Sequence, residues 1–206
     1  MLLIFDLDGT LFKTHSIVEP AILGACKKLK LNPPKVEMIH NLIGVKANEY
    51  YPALFPNASQ EDLIEIVQFV RDFIKNNLVH HGKLYDGIKD ALKVLHENHT
   101  LAICTNGHVD HQDNILHAMK INQFFKYKFP LDGSDKSVRI EKIKKLCPLN
   151  AVMIGDKSHD IHAAITSSIP SIGVLWGYGD KIELSKASYL VSDVEQLLKS
   201  IQSLNS

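Results

Sequence analysis

The sequence lacks an excess of charge of either sign. In 206 residues, 23 Lys and Arg face 23 Asp and Glu, and formal net charge is zero. A dedicated nucleic-acid binder carries a basic surplus or a basic stripe, so this balance argues against one. It does not oppose a small anionic substrate, because a site of a few residues hides inside a neutral total. The chain also lacks long apolar runs. Met1 to Phe5 is an apolar opening that stops at Asp6, shorter than a signal-peptide core and far shorter than a membrane span. Charges interrupt every later run, so the expectation is a soluble cytoplasmic protein without a membrane partner. Cysteine is scarce. Cys26, Cys104 and Cys147 are odd in number, widely spaced and form no CxxC pair, which reads as buried free thiols. No repeat, low-complexity tract or Gly/Ser linker is present. Hydrophobic content of 45% with 22% charged residues excludes disorder as the main state.

What remains is an alternation of short apolar runs and amphipathic stretches. Five runs read as buried parallel strands: 2–7, 101–105, 127–131, 151–155 and 171–175. Pro130 and two lysines dilute the third. Helical spacing fills the gaps. Ile88, Ala91, Leu92 and Leu95 share a face after Asp86, a good cap residue. Ile115, Leu116 and Met119 repeat the pattern. Ile140, Ile143 and Cys147 do the same, as do Val194, Leu197, Leu198 and Ile201 after Asp193. The fold class is therefore α/β, a doubly wound, Rossmann-like, mainly parallel sheet of about five strands.

Residues 14–81 break this rhythm and read as helices only. Ser16 to Glu19 looks like a capping box, with Pro20 tolerated in a first helical turn. Ser59 to Asp62 opens another helix, whose Leu63, Ile66, Val67 and Val70 share a face. The expected division is an α/β core at 1–13 and 82–206, with an inserted helical cap at 14–81. The hinges are expected near Lys13–Thr14 and His81–Gly82.

Chemistry-bearing residues fall at strand ends. The first strand ends in Asp6-Leu7-Asp8-Gly9-Thr10, and the strand period of two puts Asp6 and Asp8 on one side. Two buried carboxylates cost desolvation and mutual repulsion, which a hard divalent cation such as Mg²⁺ offsets. The second strand leads into Thr105-Asn106-Gly107, a hydroxyl and a tight turn able to offer Oγ and N–H groups to an anion. The fourth ends in Gly155-Asp156, with Asp160 four residues on. Lys136 precedes the Ile140 helix. Each feature alone has an ordinary explanation as a turn residue, a helix cap or a solvated lysine. Their joint placement at the carboxyl ends of the strands, where open α/β sheets bind ligands, points to one site.

With these residues in view, the chain resembles the haloacid dehalogenase superfamily over nearly its whole length. Asp6 to Thr10 resembles the first motif, Thr105 the second, Lys136 the third, and Gly155-Asp156 with Asp160 the fourth. The insert occupies the place of a type-one cap. Ile43-Gly44-Val45-Lys46 resembles the cap's substrate-facing loop, and residues 172–179 resemble the phosphoglycolate phosphatase branch.

The resemblance implies a Mg²⁺-dependent phosphatase acting on a small phosphorylated substrate through an aspartyl-phosphate. It implies Asp6 as nucleophile and Asp8 as acid and then base. Thr105 and Lys136, with Asn106 and Gly107 N–H groups, would hold phosphoryl oxygens. Asp6, Asp156 and the Asp8 carbonyl would hold the metal, supported by Asp160. Lys136 is followed by Ser137 where the family often has proline, so Lys142 stands as a second candidate. Lys46, or else Arg71, would meet a carboxylate or second phosphate on the leaving group. Of the histidines, His80-His81 and His108 with His111 are the candidates for a metal site, though such pairs are ordinarily solvent-facing, and His108 is a candidate cleft-lining residue. A sugar phosphate mutase of the β-phosphoglucomutase type shares the same core motifs, and a binding module that kept the fold is the alternative from another class. Asp8 disfavours a dehalogenase, whose halide leaves without a proton. Monomer is the default oligomeric state.

Overall fold

The structure is a computed structural model and describes residues 1–204. One six-stranded, wholly parallel sheet runs in the order β3-β2-β1-β4-β5-β6. The strands are β1 (Leu2–Phe5), β2 (Thr100–Cys104), β3 (Phe125–Phe129), β4 (Ala151–Gly155), β5 (Ser171–Val174) and β6 (Tyr189–Val191). Before β2 come α1 (His15–Leu29), α2 (Val36–Asn41), α3 (Ala47–Leu54), α4 (Gln60–His81) and α5 (Ile88–Asn98). After it come α6 (Val109–Ala118), α7 (Lys136–Leu146), α8 (Ser158–Thr166) and α9 (Val194–Leu204).

The doubly wound reading holds, and the strand count is corrected from about five to six. The extra strand is three residues long with Tyr189 exposed, too short and too wet to register as a buried run. β3 starts and ends two residues earlier than the 127–131 reading. Pro130, which has no N–H for a ladder, stays outside it.

Alternation within β1 divides the core. Leu3 and Phe5 face one cluster and Leu2 and Ile4 the other. The first cluster continues into α1 and α4 through Ile17, Ala21, Ile22, Ile66 and Val70, so these helices share buried contacts with the sheet. The second packs Ile140 and Ile143 of α7 and Ala163 and Ala164 of α8 against the opposite face. All three cysteines are buried and free. Among the described residues no helix is long and apolar enough to cross a membrane.

Cap chemistry fits at some helix starts and not at others. Ser59 opens α4 as expected, in a reciprocal box with Asp62, and Asp193 Oδ1 accepts the Gln196 N–H at 2.8 Å. The Ser16 box does not form. α1 starts two residues earlier, after Thr14, whose hydroxyl is drawn to Asp8. Pro20 therefore lies in the second turn, not the first. Asp86 does not cap α5. Gly87, at φ +77°, takes that position, and Asp86 pairs with Lys13 at 3.0 Å.

Ile4, fully buried in the central strand, measures the worth of the lower face. Ile4→Ala should lower the unfolding free energy by about 2–5 kcal/mol in urea titration. A loss under about 1 kcal/mol would show that this face closes around the gap.

Candidate functional site

Strand order creates the site. β2 and β3 lie to one side of β1, and β4 lies on the other, so the chain reverses direction across the sheet between β1 and β4. Their carboxyl ends flank the crevice where such sheets bind ligands. Asp6 follows β1 and still donates its N–H to Ile154 O at 2.8 Å. Asp156 follows β4 directly.

Around this crevice Asp6, Asp8, Thr105, Lys136, Asp156 and Asp160 are all buried. Lys136, the first residue of α7, places Nζ 2.9 Å from Asp6 Oδ1 and 2.5 Å from Asp160 Oδ1. Lys142 points elsewhere, to the exposed Asp132 at 2.7 Å, so Lys136 is the lysine of the cluster. Asp160 Oδ1 also meets His159 Nδ1 at 3.1 Å, and its Oδ2 accepts the Lys157 N–H at 3.1 Å. Both Asp160 oxygens are therefore engaged by protein donors, which makes it an anchor for Lys136. Asp156 is fixed by Thr10 Oγ1 at 2.9 Å and by the Tyr178 N–H at 2.8 Å. Gly9, at φ +84°, is needed here, since a Cβ would strike the Asp156 carboxylate and the Tyr178 ring.

Asp8 has its own partners. Thr14 Oγ1 donates to Oδ1 at 2.7 Å, and His111 Nε2 reaches both oxygens at 2.9 and 3.0 Å. His111, in the first turn of α6, is the one of the four candidate histidines that enters the site. His108 is exposed at the start of that helix, and His80 and His81 are exposed at the end of α4. Thr105 is buried at the end of β2, where its Oγ1 accepts the Gly107 N–H at 3.1 Å. That N–H is thus turned onto Thr105 itself. The Asn106 side chain bonds to Arg139 and Gly44. Residues 43–46 lie close by, with Gly44 facing His159. Lys46 follows at the start of α3, half-buried, and its ammonium has no hydrogen bond or ion pair among the described residues. Arg71 is exposed on α4, near Tyr51.

Sequence reading gives no orienting role to Thr14, His111, Arg139 or Tyr178. His111 and Tyr178 do carry a signal, the first three residues past His108 and the second within residues 172–179.

The electrostatics follow from burial. Burial pushes the Asp156 carboxyl up to about 8, with Asp6 and Asp160 adding repulsion. Burial also raises Asp6, to about 6, although Lys136 opposes it. Burial acts the same way on Asp8 and Asp160, but their cationic neighbours win and hold both below the usual range, His111 for Asp8 and Lys136 for Asp160. Burial disfavours charge on Lys136, His111 and His159. The facing carboxylates outweigh it and raise all three. Four carboxylates thus face Lys136 and two histidines, and the raised Asp156 and Asp6 record how crowded and desolvated the acids are. Asp6, Asp156 and Asp160 offer oxygens within 4.8 Å of one another, a hard-donor set suited to a small divalent cation.

A doubly wound parallel sheet with a lysine-bridged carboxylate cluster at its switch point defines an α/β protein with a candidate anion and metal site. The family model "Haloacid dehalogenase-like hydrolase" matches residues 3–174, and the chain belongs to that family. A pyrophosphatase PpaX from Anoxybacillus flavithermus is 29% identical over 84% of this chain and 83% of its own length. A 5'-nucleotidase from Pseudomonas aeruginosa is 24% identical over 98% and 95%. The crystal structure of a protein described as a predicted phosphatase from Clostridium acetobutylicum superposes with a TM-score of 0.83. It is 25% identical and covers 98% of each chain.

These shifts fix a pH dependence. Folded Asp156 keeps a proton at pH values where the unfolded carboxyl, near 3.8, has lost it, so stability falls as pH rises from about 4 to about 8. Asp6 adds to the fall up to about 6, and His111 and His159 act in the same direction. In EDTA, urea midpoints should drop steadily across this window, and Asp156→Asn should remove much of the slope. A wild-type chain equally stable at both ends of the window would show that Asp156 is not raised.

Proposed function

We propose that this chain is a Mg²⁺-dependent phosphatase that hydrolyses a small phosphorylated metabolite through an aspartyl-phosphate on Asp6. The observation that carries the reading is the Asp6 carboxylate at the switch point, held by Lys136 on one oxygen. In this reading residues 1–13 and 82–206 form the catalytic core, and 14–81 form a cap over the strand ends. Phosphatase and nucleotidase names among the relatives support it.

In the first half-reaction an Asp6 oxygen attacks phosphorus in line, and the bond to the leaving oxygen breaks. The leaving oxygen takes a proton held at the Asp8–His111 pair. In the second half-reaction Asp8 accepts a proton from water, whose oxygen attacks phosphorus and releases inorganic phosphate and Asp6. Thr105 and Lys136 hold the phosphoryl oxygens throughout, supplying position and charge neutralisation. Asp160 and His159 keep Lys136 in place. The side chains of Asp6 and Asp156 and the Asp8 carbonyl would hold Mg²⁺, which when bound offsets the negative charge gathered on the transferring group. Asp160 would support that set from behind. Lys46, with its unpaired ammonium at the edge of the cap loop, would meet an anionic leaving group.

A screen of phosphorylated metabolites with Mg²⁺, including nucleoside monophosphates and pyrophosphate, should show phosphate release. Asp6→Asn and Asp8→Asn should each reduce kcat by about a thousandfold or more. Retained turnover in both variants would rule out this chemistry. Lys46→Ala should raise KM about tenfold for the preferred substrate and leave that for p-nitrophenyl phosphate nearly unchanged. Equal effects on both would remove Lys46 from recognition.

A further inference from the structure

Arg139 lies on α7, three residues after Lys136, and is 1% exposed. Its Nη1 donates to the Thr105 carbonyl oxygen and, at 3.5 Å, to Phe129 O. Its Nη2 donates to Asn106 Oδ1 at 2.7 Å. Among the described residues no carboxylate pairs with it. A guanidinium cannot shed its charge, so burying it against neutral oxygens alone is costly. The turn after β2 therefore receives this cation at the expense of folded stability, and its value has to be sought in what it orients.

An arginine has donors only. Asn106 must turn its oxygen to Nη2, and that choice leaves no freedom for the rest of the amide. Nδ2 then faces the opposite way, where it lies 3.4 Å from Gly44 O in the loop joining α2 to α3. A carbonyl accepts only. Asn106 is the adaptor between a group that can only donate and a group that can only accept, and only one orientation of its amide serves both. The Gly44 carbonyl belongs to the loop that leads to Lys46.

We propose that Arg139 and Asn106 form a latch that holds residues 43–46 down over the strand ends. In it Arg139 is a positioning residue that fixes which way the Asn106 amide faces. Its consequence for turnover rests on the phosphatase reading above; the latch itself does not. The Asn106 side chain then serves the cap loop, while phosphate contact on that turn falls to Thr105. Arg139 also grips the Thr105 carbonyl, so loop closure and the phosphate-facing turn share one anchor.

Asn106→Asp tests the latch directly. The variant keeps an acceptor for Arg139, and indeed gives the buried cation a counterion, but it sets an oxygen against Gly44 O. Melting temperature should hold or rise. Hydrogen exchange across residues 42–46, reported by the Val45 N–H that bonds to Leu42 O, should quicken about tenfold. KM for the preferred substrate should rise by a similar factor, with a smaller change for p-nitrophenyl phosphate. Wild-type exchange at 42–46 in a folded Asn106→Asp chain would overturn the proposal. Arg139→Lys keeps the charge and loses the fork, so the amide is free to turn, and the same segment should loosen. If Arg139→Lys lowers the melting temperature and leaves 42–46 at the wild-type rate, Arg139 is a brace for the β2–β3 ends and the latch fails. Exchange needs no substrate, so a chain that releases no phosphate would sink the functional reading and leave the latch to stand or fall alone.

Discussion

The Lys136 ammonium, fixed between Asp6 and Asp160, is the interaction on which the rest of the site depends. Without it three carboxylates would lie within reach of one another in a buried crevice, and the cheapest response would be to protonate them. With it, Asp160 stays ionised and Asp6 remains close to ionisation at neutral pH. Asp156, which Lys136 does not touch, shows what the others would become, with its carboxyl pushed up to about 8. Lys136 reaches Asp6 and Asp160 and leaves Asp156 without a cation of its own. That desolvated carboxyl beside two others is the physical reason this crevice suits a small hard cation.

That cluster can be assembled only because the sheet is parallel and reverses direction next to β1. Parallel strands send all their carboxyl ends to one edge, and the register sets Phe5 opposite Ile154, so Asp6 and Asp156 emerge at nearly the same level. The β1–β4 ladder then holds Asp6 by its own N–H while the side chain leaves the sheet. Lys136 comes from the far side of β2, at the first turn of α7. Its reach back across the strand end lets it serve β1 and α8 together. A side chain tied to a sheet edge by backbone bonds has little freedom to wander, and this is the kind of preorganisation that phosphoryl chemistry relies on.

Much of the fold and the acidic half of the site were legible in the sequence. Strand ends carry their functional residues in the same short string as the apolar run, so Asp6, Asp8, Thr105 and Asp156 announce themselves together. β6 was illegible because three residues with an exposed tyrosine resemble a loop, and its identity as a strand comes from pairing with β5. The start of α1 is illegible for a different reason. Local rules favoured Ser16 as a cap, yet the Thr14 hydroxyl is captured by Asp8 and the helix starts around that bond. Asp86 was lost from its cap in the same way, by a long-range pairing with Lys13.

The orienting residues share a logic that no spacing rule expresses. His111 and Arg139 stand on helices whose sequences carry polar groups at many positions, and nothing local separates a side chain that points to solvent from one that points inward. What separates them is donor and acceptor complementarity. Asp8 has carboxylate oxygens to satisfy and receives a hydroxyl and an imidazole; Asp156 receives a hydroxyl and an N–H; Asp160 receives an ammonium, an imidazole and an N–H. Each acid has a different donor set, so each is driven to a different protonation tendency, Asp8 and Asp160 down and Asp6 and Asp156 up. Asp8 is held ionised by His111, so a proton delivered from this point has to come from the pair and not from Asp8 alone. The neutral total charge of the chain is silent on this because the work is done by how a few buried charges are paired.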